Sequence, residues 1–191
     1  MKNLCVKKIS YQDTKPFILN IHYAKRMPSI SHAFGLFDNN QLTGIVSYGS
    51  PASPSLCKGI CGEHNKKNVI ELNRLVLKNN EKNYASFLVS TSLKMLPKPK
   101  IVVSYADTAQ GHVGYVYQAT NFYFTGTTKS RTDIASKNGK HSRHHLGDRS
   151  QRVFRSSKHR YVIFIGSKSE KKKMIKDLNY KILNYPKNAE K

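Results

Sequence analysis

Ser104, Asp107 and Tyr117 fall in two adjoining segments, IVVSYADT (Ile101–Thr108) and GHVGYVYQATNF (Gly111–Phe122). A carboxylate can take a proton, a phenol can give one, and a hydroxyl can orient either group. Asp107 follows the strand-like Ile101–Tyr105, where open α/β sheets gather their ligands. There it could act as a general base, a metal ligand or an anchor for an exocyclic amine. An Asx turn capping the next segment is the other reading of the same residue. Tyr117 lies on a short predicted helix, where it either protonates a leaving group or packs its ring in the core.

Two further groups carry chemistry. Glu71 and Arg74 interrupt the apolar run VIELNRLVL, and charges are seldom buried without a partner. In a regular strand, residues three apart point to opposite faces, so the two are not expected to pair with each other. One of them is expected to reach a substrate cleft. His22-Tyr23 ends a predicted first helix and could supply ligands or an acid–base pair, although a helix C-terminus favours a charged imidazole in any case. Cys5, Cys57 and Cys61 make an odd count. Cys57 and Cys61 with His64 lack a fourth ligand for a tetrahedral metal, so ordinary reduced thiols are expected.

Thirty-three Lys and Arg against eleven Asp and Glu give a formal net charge of +22. Such an excess concentrates polyanions around the molecule, and nucleic acid is the expected partner. No basic amphipathic helix or bilayer-length apolar run suggests a membrane, and the charged N-terminus lacks a signal-peptide pattern, so the expected compartment is the cytoplasm. Two basic clusters, KHSRHH (Lys140–His145) and RSSKHRY (Arg155–Tyr161), supply phosphate-binding candidates: Lys140, His141, Arg143, Arg155, Ser156, Lys158, His159 and Arg160. Tyr161 could offer its ring to an unstacked base.

The elements that must hold these residues follow from periodicity and turn chemistry. Thr14–Tyr23 reads as a helix with Pro16 in its first turn, and Asn39-Asn40 joins the strands Ala33–Asp38 and Gln41–Tyr48 as a hairpin. Ser50–Gly62, with two prolines and two glycines, reads as a loop. Val69–Leu77 is expected as a central strand, Asn83 as the cap of a helix from Tyr84 to Leu96, and Ile101–Tyr105 as a second buried strand, parallel to the first. A short helix Val113–Ala119 and strands Phe122–Gly126 and Tyr161–Ile165 follow. Residues 129–160 read as a substrate loop or a disordered insertion, residues 167–191 as a Lys-rich tail, and Leu178–Tyr185 as an added edge strand. A single α/β domain over 1–191 is expected, with a mixed central sheet flanked by helices.

Two resemblances add to this reading. Tyr117 followed by Asn121-Phe122 is similar to the Tyr-x-x-x-Gly-Phe element of GNAT-type acyltransferases, in which a helix tyrosine protonates the leaving group. The blocks HYAKRMPS, GIVSYGSPAS, ELNRLVL, SYADT, GHVGYVYQATNF, GKHSRH and SSKHRY, from His22 to Gly166, resemble the Mom proteins of bacteriophages. That resemblance implies a GNAT-related fold. It also implies conversion of adenine in double-stranded DNA to an N6-carbamoylmethyl derivative, which protects DNA from restriction. It places Asp107, Ser104, Tyr117, His22 and Tyr23 near the reacting centre and Arg74 in the cleft; Glu71 and Asn121 are further substrate-binding candidates. One departure stands out: KNNEKNYAS (Lys78–Ser86) has no glycine where GNAT enzymes hold the coenzyme A pyrophosphate. This counts against acetyl-CoA as donor and leaves an aminoacyl-type or other carrier open, with a ferrous ion at His22, Tyr23 or Asp107 as a further option. An acetyl-CoA-dependent acetyltransferase of RNA or protein, and a non-enzymatic basic nucleic-acid-binding module, are the competing functions.

Overall fold

The structure is a computed structural model that describes residues 3–134, 150 and 152–187. Its centre is a seven-stranded sheet in the order β1-β2-β3-β4-β5-β9-β6. The strands are β1 (Leu4–Lys8), β2 (His32–Asp38), β3 (Gln41–Gly49), β4 (Val69–Leu77), β5 (Lys100–Asp107), β6 (Tyr123–Thr127) and β9 (Lys158–Ile165). β7 (Arg131–Ile134) and β8 (Arg152–Arg155) form a separate two-stranded ribbon. The ladder is antiparallel except between β4 and β5, which are parallel, with helix α3 (Tyr84–Met95) crossing between them.

Helices cover both faces, as a mixed sheet with two apolar faces requires. α3 and α4 (Tyr115–Ala119) bury Leu88, Val89, Leu93 and Tyr117 against Val46, Tyr48, Leu72 and Tyr161. On the other face, α2 (Pro54–Asn65) and α5 (Lys168–Lys176) pack Ile60, Cys61 and Met174 onto Val69, Ile101, Val103 and Phe164. Phe17 and Ile18 seal the same face over Ile45 and Val76.

The hairpin is as expected: Asn39 and Asn40 take φ of 48° and 66°, the left-handed pair that a two-residue turn demands. The first helix differs. Ser10 and Asp13 form a reciprocal capping box, so α1 spans Tyr11–Pro16, with Pro16 at its end rather than in its first turn. The chain then widens into a π-helical turn, Phe17–Ile21. The predicted Ser50–Gly62 loop is instead largely helical, because Ser53 caps it and Pro54 fits its first position. Its two glycines lie within α2, where Gly62, at φ 76°, marks a kink.

Asn83 precedes α3, yet it does so in a left-handed conformation and without a side-chain cap. The Lys-rich tail begins as α5, with its own capping box from Ser167 and Glu170. Leu178–Tyr185 adds only a single bridge, Phe124 to Leu183, rather than a strand. Both ends of the 129–160 segment are ordered into strands. Lys140, His141 and Arg143 lie outside the described residues.

Candidate active site at the split between β4 and β5

β4 and β5 pair only from Val69–Ile101 to Glu71–Val103. Beyond that point the next carbonyl, Leu72, accepts a hydrogen bond from the Ser104 hydroxyl at 2.9 Å instead of from a backbone amide. A side chain thus closes the last rung and the strands diverge. Divergence is reinforced on the β3 side, where the register slips because Asn73 bulges: Ser47 opposes Arg74 while Tyr48 opposes Leu72. Ser47 Oγ donates to Asn73 Oδ1 at 2.7 Å, and Asn73 Nδ2 donates to the Ser29 carbonyl at 2.7 Å, which fixes the bulge.

The bulge overturns the expectation for Glu71 and Arg74. With one residue extruded between them, Val69, Glu71, Arg74 and Val76 share one face, and Ile70, Leu72, Leu75 and Leu77 share the other. Glu71 is half-buried, and burial pushes its carboxyl up to about 7. The Arg74 charge, a backbone hydrogen bond from Ala52 and the Lys158 charge draw it back only part of the way. Arg74 donates from Nη1 to the Asn73 carbonyl at 2.6 Å and from Nη2 to the Arg26 carbonyl at 2.9 Å. Its buried Nε has no hydrogen-bond acceptor among the described residues.

Asp107 is the last residue of β5, on the face of Glu71 and Arg74. Its carboxylate is fully engaged. Lys158 Nζ donates to Oδ2 at 2.6 Å, while Ser156 Oγ at 2.5 Å and the Ala109 amide at 3.1 Å donate to Oδ1. Burial alone would raise the Asp107 carboxyl, but the bonds from Lys158 and Ser156 hold it below the ordinary range. It is both the Asx-type cap of the 3₁₀ turn Thr108–Gln110 and the anchor of the segment that leads into β9.

Tyr117 approaches from the opposite face. Its ring is buried among Phe122 and Tyr161, and burial pushes its hydroxyl up to about 12, with Ser104 as its side-chain hydrogen-bonding neighbour. Tyr23, Glu71 and Tyr161 push that hydroxyl up a little further, and the Ser104 hydrogen bond lowers it. Gly114 (φ 81°) starts α4, and a Cβ there would meet the Tyr161 ring at 2.5 Å; this close approach seats Tyr117 over β5 and β9.

His22 and Tyr23 stand at the exit of the π-helical turn, with rings stacked at 4.4 Å and Tyr23 edge-on to His112 at 6.1 Å. Burial, then the charges of Arg74, His112 and Lys158, push His22 down to about 4, so it is neutral at pH 7 rather than the charged helix-end imidazole expected. His22 Nδ1 accepts from the Ala24 amide at 3.0 Å, which leaves the proton on Nε2.

Other candidates lie elsewhere. Asn121 is exposed at φ 61° and serves the turn after α4, with no contact to the Asp107 cluster among the described residues. Arg160 donates to Thr125 Oγ1 and to the Thr125 carbonyl, with Tyr180 stacked 3.4 Å over its guanidinium, so it braces β6 and the C-terminal segment. His159 bonds Thr127 Oγ1 at 2.8 Å. Tyr161 is wholly buried, its hydroxyl donating to the Val113 carbonyl, and cannot receive a base. Arg155 ion-pairs with Asp133 at 3.4 Å.

Among the described residues no three His, Cys, Asp or Glu side chains cluster as a metal site. The proposed iron ligands do not fit as they stand, since Lys158 already neutralises Asp107 and the Ala24 amide occupies His22 Nδ1. Sequence reading missed Ala52, Lys158 as the partner of Asp107, and His112; only the Asp107–Lys158 register of β5 and β9 brings the latter pair together.

The sequence model of the Mom protein family matches residues 3–187. The chain belongs to the Mom protein family. One curated relative is the methylcarbamoylase mom of Escherichia phage Mu, 28% identical over 206 residues, spanning 97% of this chain and 85% of the relative. The Mom chain also shares the GNAT acetyltransferase fold. Arabidopsis thaliana NAA60 in complex with acetyl-CoA aligns over 85% of this chain and 99% of its own at TM-score 0.53 and 13% identity. A Bacillus subtilis acetyltransferase in complex with CoA aligns over 86% and 99% at TM-score 0.51 and 9% identity. Among the described residues no helix is long and apolar enough to cross a membrane.

Proposed function

We propose that this Mom protein is a phage-type DNA-modifying transferase that converts adenine in double-stranded DNA to its N6-carbamoylmethyl derivative in the host-cell cytoplasm. The observation that carries the reading is the placement of Glu71 and Tyr117 on opposite faces of the sheet where the β4–β5 pairing ends, Glu71 opposite Val103 and Tyr117 beside Ser104: a carboxyl tuned to about 7 and a phenol held protonated. A general base works best when its pKa lies near the operating pH. The adenine N6 lone pair is delocalised into the ring, so the nitrogen attacks only as its proton leaves. In the proposed step N6 forms a bond to a methylene carbon as that carbon's bond to the leaving group breaks. Glu71 takes the N6 proton and Tyr117 protonates the leaving group. Ser104 orients Tyr117, Arg74 and neutral His22 border the base, and Asp107 with Lys158 positions the nucleic-acid-binding segment.

This assignment moves the base from Asp107 to Glu71, because a carboxylate saturated by three donors is a weak proton acceptor. Plain acyl transfer would leave an N-acyl adenine instead, so the donor is a two-carbon amide whose methylene carbon, not its carbonyl, carries the leaving group. The turn before α3 has no glycine, and the Tyr84 amide is spent on the Glu81 carbonyl, which suits a coenzyme A pyrophosphate poorly; no step is routed through that group. The test is expression in bacteria followed by digestion of genomic DNA to nucleosides and mass spectrometry. An adenine heavier by a carbamoylmethyl group is expected. Unmodified DNA in cells containing folded protein and a phage donor extract, or an N-acetyl adenine, would reject the reading.

A further inference from the structure

The β7–β8 ribbon pairs Arg131 with Arg155, Thr132 with Phe154, Asp133 with Val153 and Ile134 with Arg152. Alternation puts Arg131, Asp133, Val153 and Arg155 on one face and Thr132, Ile134, Arg152 and Phe154 on the other. On the first face Asp133 sits 3.4 Å from Arg155 and 3.8 Å from Arg131, so its charge is spent there. The second face has no acid in the described ribbon. It presents Arg152 beside Phe154, which at 69% exposure is more open than any other large hydrophobic residue described.

The ribbon is rooted at the active site. Ser156, the residue after β8, donates to Asp107, and so does Lys158 at the start of β9. Two residues of extended chain span roughly 7 Å, so the Phe154 backbone lies within about that distance of Ser156, which is bonded to Asp107 at the C-terminal end of β5. A base that reacts there must leave the duplex stack, and proteins that unstack bases do so by inserting apolar side chains between base steps. A two-stranded ribbon fits a DNA groove, and the chain's charge of +22 draws the duplex to it.

We propose that Phe154 is a wedge that enters the base stack next to the adenine delivered to the split, with Arg152 on the same face holding the adjoining phosphate. The inference rests on the DNA-adenine reading above and names the residue that gives this site its access to a duplex. Phe154 acts by opening the stack and takes no part in the bond-making step.

The experiment needs neither a donor nor a known sequence context. Relaxed circular plasmid is incubated with the full-length protein, treated with a nicking-closing topoisomerase, deproteinised and resolved by topoisomer. An inserted side chain unwinds DNA and lowers the linking number in proportion to protein bound. Wild type, Glu71→Gln, Phe154→Ala and Phe154→Trp are compared at equal occupancy, set by fluorescence anisotropy. Wild type, Glu71→Gln and Phe154→Trp are expected to unwind the plasmid, and Phe154→Ala to lose most of that effect with an unchanged salt slope. In cells, Phe154→Ala should lower modified adenine about tenfold or more. Equal unwinding by wild type and Phe154→Ala, or none by wild type, overturns the wedge. Absence of modified adenine from wild type instead counts against the enzymatic reading, and the topoisomer result stands apart from it.

Discussion

Glu71 and Arg74 share one face of β4, although only two residues separate them, because Asn73 bulges out of register with β3. A one-residue irregularity therefore converts two strand charges into a coupled pair at the mouth of the split. It leaves Glu71 close enough to a cation to ionise near neutrality and buried enough not to ionise earlier.

Glu71→Gln should abolish adenine modification in cells, read by nucleoside mass spectrometry, while the thermal melt shows a folded protein. The variant also has a pH signature. Glu71 binds its proton more tightly folded than unfolded, so its contribution to stability is complete below the unfolded value of 4.5 and is lost as pH rises to about 7. Denaturant titrations across that window should show wild type losing stability relative to Glu71→Gln by an amount on the order of 2 kcal/mol. A pH-independent difference between the two proteins would mean Glu71 titrates normally.

Arg74→Met should raise the Glu71 pKa further, by about one unit, since the guanidinium is the largest influence lowering it. The side-chain carboxyl ¹³C shift of Glu71 follows this titration directly and requires no donor. A downward shift would contradict the placement of the two groups on one face.

Tyr117→Phe keeps the ring packed on Phe122 and Tyr161 and removes the hydroxyl, and with it the proton donor and the bond to Ser104. Modification should fall by about 10²–10⁴-fold, with DNA affinity and melting temperature close to wild type. Wild-type levels of product would assign the tyrosine to packing alone.

Asp107→Asn exchanges an ion pair for an amide facing Lys158 and should destabilise the protein by about 2 kcal/mol. The Asp107 contribution is present above the unfolded value and is lost as pH falls through its lower folded value, so the difference should shrink in acid. Hydrogen exchange should accelerate at Arg152–Arg155, which Asp107 secures through Ser156. Protection of that strand unchanged by the mutation would show that Asp107 is not its anchor.

Much of this architecture was legible in the chain. VIELNRLVL declared β4 to the residue, Asn39-Asn40 the hairpin, and the apolar spacing of Leu88, Val89 and Leu93 the crossover helix. Ser104, Asp107 and Tyr117 stood out because strand ends and short helices are where such groups gather. What escaped was set by pairing at a distance. The bulge at Asn73 depends on Ser47 and Ser29, and the saturation of Asp107 depends on β9 returning antiparallel beside β5. The helix Pro54–Asn65 hid behind glycines that read as loop formers, although Ser53-Pro54 is an ordinary helix opening. Tyr161 and Arg160 looked like ligands because a sequence does not reveal which side of a strand is covered.

The hydrogen bonds that Ser156 and Lys158 make to Asp107 bind the root of the β7–β8 ribbon and the end of β5 into one joint. On the proposed reading, access to the duplex and chemistry are consequently not separable modules. A variant selected for a new sequence preference by changes at the ribbon root will carry a change in turnover with it, and grafting the ribbon alone onto another scaffold will transfer neither.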